Sequence, residues 1–260
     1  MESISFHTNH SAPLFIGQNY VYLPETNSTN LRLKTLSGTE KLPEGTVIST
    51  GYQTEGRGQA GSIWESNRDQ NIMLSVLLYP GFLNAANQFL LSKAMALAAK
   101  DFISNFLLDK PVKIKWPNDI FVSGQKICGI LIENGLKGEK IDYAIIGIGI
   151  NVNEIFNDKR RTSLKEVSGL EFDLRNIEKV LFSNIEARYL QLKSSEPFLS
   201  VDYLESLFGF REKMHFIDKI KNADFEGVIN GVGKDGRLII ETDGGLRLFN
   251  MKEVGFSVIS

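Results

Sequence analysis

Apolar spacing along the chain predicts an α+β fold, with a mixed or antiparallel sheet, helices packed on one of its faces, and a small β-rich segment at the C-terminal end. Strand-like runs at 112–116, 120–122 with 127–133, and 143–151 follow one another through connections too short for crossover helices, so they pair as antiparallel neighbours. Two longer stretches, 84–108 and 174–192, instead repeat apolar residues at helical spacing. From about Gly209 the texture becomes short alternating runs separated by aspartate-glycine turns.

The segment through Asn27 offers one short strand, 20–23, and leaves no room for an N-terminal helix-turn-helix domain. Ser28-Thr29-Asn30 precedes a short helix at 31–36, where Ser or Asn reads first as an N-cap. A strand at 47–50 leads into Gly56-Arg57-Gly58-Gln59-Ala60-Gly61, and another strand follows at 71–79. In 84–108, Phe89, Leu90, Met95, Leu97, Ala98, Phe102 and Phe106 make one broad apolar face. Lys113 and Lys115 alternate with Val112, Ile114 and Trp116; Pro117, which has no N–H to give, ends that strand. The chain returns through Ser123-Gly124 as a hairpin carrying Lys126 and Gly129. Helix 174–192 uses Ile177, Val180, Leu181, Ile185 and Tyr189, with Asp173 as its N-cap. Residues 203–208 close a larger domain, 1–208. The strands at 214–217, 227–230, 238–242, 246–249 and 254–259 make a small barrel, 209–260, that must dock on it to bury enough core.

Composition excludes several classes. A formal net charge of −2 argues against a general nucleic-acid binder, and no apolar run is long enough to span a membrane. The N-terminus has no secretory pattern, so the expected compartment is the cytoplasm. The single cysteine, Cys128, excludes an intrachain disulfide and reads as a small strand residue. His7, His10 and His215 lack companions at ligand spacing, so no protein metal site is expected.

Gly56 to Gly61 spells the dinucleotide fingerprint, but the residues after it have no helical period, so no helix N-terminus waits for a pyrophosphate. What remains is either a mobile surface loop or one whose N–H groups and Arg57 fold over an anion. Lys115, Asn118, Asp119 and Lys126 on adjacent strands suggest an anionic substrate, although an exposed hairpin carries such charges for solubility too. Gly147 and Gly149, two apart before Asn151, leave one strand face bare for a ligand or another backbone.

Taken in order, Ser28-Thr29-Asn30, Gln53, Gly56-Arg57-Gly58-x-x-Gly61, Trp64, Lys115-Trp116-Pro117-Asn118-Asp119, Lys126-x-x-Gly129-Ile130-Leu131-Ile132-Glu133 and Gly147-x-Gly149-Ile150-Asn151 resemble the biotin–protein ligases (holocarboxylase synthetases). Thr162-Ser163-Leu164 resembles the family's following segment. The resemblance implies a class II synthetase-like catalytic domain with an SH3-like C-terminal barrel. It implies a ligase that forms biotinyl-5′-AMP from biotin and ATP, with Mg2+ accompanying ATP, and transfers biotin to a lysine of the biotin carboxyl carrier protein. Lys126, Arg57 and Asp119 become the implied catalytic residues, with Lys126 between biotin carboxylate and phosphate and Asp119 facing the incoming lysine. Ser28, Thr29, Asn30, Gln53, Gly56, Arg57, Lys126, Gly129 and Gly147 would hold biotin. Gly58, Gln59, Gly61, Trp64, Asn118, Lys126 and Asn151 would hold the nucleotide. Gln59 stands where some relatives carry a second arginine, and Ser257 near where some end with a nucleotide-contacting arginine that Arg247 could replace. The expected protein is monofunctional, without DNA as a partner, in a monomer–dimer equilibrium.

Overall fold

The computed structural model describes residues 12–256. His7, His10, Ser257 and the end of the 254–259 strand lie outside the described residues. In chain order the elements are β1 (Tyr20–Leu23), α1 (Thr29–Thr39), β2 (Val47–Thr50), β3 (Ile72–Leu78), α2 (Phe89–Ser104), β4 (Val112–Lys115), β5 (Asp119–Val122), β6 (Gln125–Lys137), β7 (Lys140–Ile150), α3 (Leu164–Ser168), α4 (Leu174–Ser194) and α5 (Glu196–Ser206). The first seven strands form one sheet in the order β1-β2-β3-β7-β6-β5-β4. Only β1 and β2 run parallel, since α1 crosses between them; the remaining pairs are antiparallel. The β5–β6 turn has positive φ at both Ser123 and Gly124 (50° and 81°), the geometry a two-residue hairpin needs.

Alternation along β3 and β7 divides the sheet into two faces. Ile72, Leu74, Val76 and Leu78, with Ile146, Ile148 and Ile150, pack in the main core with α2 and α4. Leu77 and Ile145 face the other way and pack with Leu33 of α1 and with Ile48. Helices therefore cover both faces, contrary to the one-sided arrangement expected from the sequence. On the second face α1 covers only part of the sheet.

The 84–108 prediction divides in two. The Asn84 side chain accepts from Ala86 N–H and holds a 3-10 turn, Ala85–Asn87, ahead of α2. Ala94 to Ala99 are all buried, so α2 is apolar around most of its circumference rather than on one face. Neither α3 nor α5 was expected. Asp173 caps α4 as predicted, accepting from Asn176 N–H.

The remaining strands, β8 (Lys213–Asp218), β9 (Ala223–Val232), β10 (Leu238–Thr242), β11 (Gly245–Phe249) and β12 (Val254–Phe256), make a second, antiparallel sheet in the order β11-β10-β9-β8-β12. Phe216, Ile229, Leu238, Ile240, Phe249 and Val254 join the same core as α2 and β4. Trp116 Nε1 donates to Gly236 O at 3.0 Å across the seam. Among the described residues no helix is long and apolar enough to cross a membrane.

Candidate active site

The part of the second face that α1 leaves open lies over β3, β7 and β6. Met73, Gly149 and Gly129 form one row across these strands; Ser75, Gly147 and Leu131 form the next. The missing side chains let other groups come close. A Cβ on Gly149 would stand 2.5 Å from Trp64 Cε2, and one on Gly147 would stand 2.4 Å from Asn30 Oδ1. The glycine pair read from the sequence thus seats an indole ring and an amide. The cleft above them has about 760 Å³ between atoms, including open solvent at its mouth.

One wall is the glycine-rich segment, which is a hairpin rather than an unstructured loop. Trp64 N donates to Gly56 O at 3.0 Å, Gly58 N to Ser62 O at 2.7 Å, and a 3-10 turn, Gln59–Gly61, makes the tip. No α-helix starts there, which disposes of the dinucleotide fingerprint. Arg57, Gly58, Gln59 and Trp64 line the cleft, whereas Gly56 and Gly61 border an open groove on the hairpin's other side. Among the described residues the Arg57 guanidinium has no hydrogen bond or ion pair, and Trp64 Nε1 is buried without an acceptor.

The opposite wall comes from β5, β6 and the 116–118 turn. Lys126 Nζ lies 2.7 Å from Asp119 Oδ1, each side chain about one-third exposed (33% and 34%), so the pair is accessible to a ligand. Lys126 is held at both backbone ends: its N donates to Arg160 O (2.9 Å) and its O accepts from Thr162 N (3.0 Å). Asn118 is buried and donates to Ile130 O. The Pro117 carbonyl accepts from Tyr203 Oη at 2.6 Å, which fixes the turn from α5.

The far end is polar. Ser28 occupies the N-cap position of α1, but its hydroxyl makes no capping bond. The Gln53 side-chain oxygen accepts from Thr29 N instead (2.8 Å), so Ser28 is left to line the cleft. Asn30 donates to Glu133 Oε2 at 2.9 Å. Ser75 Oγ stands 2.7 Å from Thr29 Oγ1 and 2.6 Å from Asn30 Oδ1.

The structure thus gathers Ser28, Thr29, Asn30, Gln53, Arg57, Gly58, Gln59, Trp64, Asn118, Asp119, Lys126, Gly129 and Gly147 around one cleft. Besides Gly56 and Gly61, three expected participants lie elsewhere. Asn151 is buried behind Lys126, donating to Thr162 O at 2.9 Å, so it braces the wall instead of facing a nucleotide. Lys115 places its ammonium over the rings of Phe121 (4.9 Å) and Phe256 (5.4 Å), and burial there lowers its pKa. Arg247 pairs with Asp218 and lies over Phe225 and Phe249, so it is committed within the second sheet. Sequence reasoning missed Ser75, whose one signal was a hydroxyl inside an otherwise apolar strand; it also missed Tyr203. Cys128 is fully buried, which pushes its thiol pKa far up and leaves no nucleophile. Among the described residues no cluster of three metal-ligating side chains occurs.

A sheet-floored cleft with a cation–carboxylate pair on one wall and a glycine-arginine hairpin on the other defines an anion-activating site. The profile of the biotin/lipoate A/B protein ligase family matches residues 22–151, half of the chain, and the chain belongs to that family. It is 30% identical over 240 residues to the bifunctional ligase/repressor BirA of Bacillus spizizenii, covering 89% of this chain and 72% of the relative. It is 27% identical over 224 residues to the biotin–[acetyl-CoA-carboxylase] ligase of Mycobacterium tuberculosis (85% and 82% covered). The biotin protein ligase of Aquifex aeolicus, solved in complex with biotin and ATP, superposes with a TM-score of 0.76 at 25% identity, covering 92% of this chain and all of that one.

Proposed function

We propose that this protein is a biotin–protein ligase, which activates biotin with ATP to biotinyl-5′-AMP and transfers biotin to a lysine of a biotin carboxyl carrier protein. The observation that carries the reading is the convergence on one cleft of the Lys126–Asp119 pair, the unpaired Arg57 guanidinium and a polar end at Thr29 and Gln53. In the first step a carboxylate oxygen bonds to the α-phosphorus and pyrophosphate leaves. Two anions must meet before that bond forms, so positioned cations lower the barrier by neutralising both. Lys126 and Arg57 are suited to this, since both reach the cleft and neither needs a structural salt bridge broken beyond the Asp119 contact.

In the second step a lysine amine attacks the acyl carbonyl, AMP leaves, and an amide forms. Asp119, partly exposed beside Lys126, is placed to orient that amine or take its proton. The Gly56–Trp64 hairpin can close over the mixed anhydride and keep water away. Among the described residues Asp119 is the one carboxylate lining the cleft, which fits a magnesium ion held chiefly by ATP phosphates. That ion, when bound, screens phosphate charge. The carrier-protein partner, self-association, a cytoplasmic location and the absence of a DNA partner belong to this reading as well.

Biotin-dependent exchange of pyrophosphate into ATP, with magnesium, is the test. Exchange is expected with biotin and not with lipoate. Folded protein that exchanges with neither would end the proposal.

A further inference from the structure

We propose that Tyr203 is a positioning residue for the carrier-lysine step: its hydroxyl holds the Pro117 carbonyl from α5 and so aims the Asp119 carboxylate, and the buried Lys93 ammonium on its ring face strengthens that grip. The proposal rests on the reading of Asp119 as the group that receives the carrier lysine. In that step the amine nitrogen bonds to the acyl carbon, the acyl C–O bond to AMP breaks, and the nitrogen's surplus proton passes to Asp119. The aim of the carboxylate is not set by strand register alone. Phe121, on the same face of β5 as Asp119, is opposite Lys126, whereas Ile120 is opposite Cys128, so Ile127 is skipped as a bulge. Lys126 therefore meets Asp119 on a diagonal, and the carboxylate takes its direction from the turn that precedes it.

That turn, 116–118, joins β4 to β5, with Lys115 and Asp119 paired at its base. Each of its residues is held by a different element. Trp116 Nε1 donates to Gly236 O between β9 and β10, and Asn118 donates to Ile130 O on β6. Pro117 is held at its carbonyl, which accepts from Tyr203 Oη at 2.6 Å. Tyr203 is a rigid post for this bond: it is fully buried, and Phe89 packs edge-on against its ring at 6.0 Å. The chain just after it is tied to β4, where Phe208 N donates to Ile114 O at 2.8 Å. Lys93 of α2 is the unusual neighbour. Only 5% of it is exposed, and among the described residues it has no ion pair. Its Nζ contacts Ser200 Oγ at 3.2 Å and lies 5.8 Å from the centre of the Tyr203 ring. A cation on the ring face draws electron density from it, which makes the phenol a stronger donor to the Pro117 carbonyl. Burying an ammonium with so few partners costs stability, and the hydroxyl it polarises bonds to a residue that lines the cleft.

The test is single-turnover transfer from preformed biotinyl-5′-AMP to a purified biotin carboxyl carrier domain, with Tyr203→Phe, Lys93→Met and Asp119→Asn alone and combined. Tyr203→Phe should slow transfer about tenfold, well inside the ~100-fold that a misplacement of ~1 Å can cost. The KM values for biotin and ATP in pyrophosphate exchange should stay within about twofold of wild type. Lys93→Met keeps the hydroxyl and should slow the same step about threefold, the lower end of a cation–π contact. In an Asp119→Asn background neither change should slow transfer further, since no carboxylate is left to aim. A merely structural role would lower the rate by the same factor in both backgrounds. That outcome would overturn the proposal, as would Tyr203→Phe transferring at the wild-type rate while Asp119→Asn is slow. Lys93→Met at the wild-type rate would overturn the part given to Lys93. Asp119→Asn that itself transfers normally would instead overturn the reading of Asp119. Should Tyr203→Phe not fold, Lys93→Met in the two backgrounds decides.

Discussion

Lys126 is where a single atom group carries the most chemistry. A compact ammonium can sit between two anions and still touch Asp119, whereas a planar guanidinium presents its donors in a fixed fork. Lys126→Arg should lower biotin-dependent pyrophosphate exchange by about 100-fold with little change in thermal stability. Exchange near the wild-type rate would mean that charge alone suffices there. Asp119→Asn separates the half-reactions: transfer from preformed adenylate to the carrier lysine should slow more than adenylate formation, followed by single-turnover kinetics. Gly149→Ala tests the ring seat, since the new methyl would lie 2.5 Å from the Trp64 indole and overpacking of that kind costs about 1–3 kcal/mol. The expected readout is weaker ligand binding with a modest fall in melting temperature. Most of these residues were legible in sequence because charge, glycine and proline in close spacing constrain backbone and chemistry together. Ser75 and the Asn151 brace were not, because their roles depend on which buried partner each amide or hydroxyl meets across the sheet.

At the scale of elements, strands were read more accurately than helices. Alternation and the Ser123-Gly124 turn fixed β4 and β5 almost to the residue, since a slip of one position would turn every side chain to the wrong face, whereas β6 extends beyond the expected 127–133 at both ends. The limits of α2 were missed because Asn84 caps a 3-10 turn before the helix begins, and α5 was missed because its short run carries only a weak one-sided apolar pattern. The placement of α4 rests partly on a buried carboxyl. Glu178 accepts from Tyr20 Oη at 2.9 Å and Ser49 Oγ at 2.5 Å, tying the helix to β1 and β2. Burial raises its pKa above the ordinary 4.5, against the pull of those hydrogen bonds and of Arg175. A raised folded-state pKa means that the folded form holds a proton which the unfolded chain has released. The associated stability is therefore complete below about 4.5 and is lost as pH rises through the raised value. Urea unfolding across that window should show wild-type stability falling relative to Glu178→Gln as pH increases. A constant difference would mean that Glu178 titrates normally in the folded protein.

At the scale of the whole molecule, the question is whether the two sheets unfold together. A division after residue 208 follows the change in sequence texture, yet the contacts across it are those of one core. Lys115 rests on Phe256, and Phe216, Ile229 and Leu238 share one buried cluster with residues of α2 and β4. Trp116 is the central tie, since its buried Nε1 reaches Gly236 O and Phe89 packs beneath that same glycine. These contacts bring residues some 120 positions apart into one layer, which no local pattern in the sequence specifies. Trp116→Phe keeps most of the ring and strands the Gly236 carbonyl, at a cost of about 1–3 kcal/mol. If the sheets are one cooperative unit, near-ultraviolet circular dichroism and amide exchange in β8 to β12 should report the same lowered midpoint. If 209–260 is energetically separate, its amides should exchange first while the seven-stranded sheet keeps the wild-type midpoint. The shared core favours the first outcome: Phe216, Leu238 and Ile240 are buried in the same cluster as residues of α2 and β4, so loosening one sheet uncovers the other.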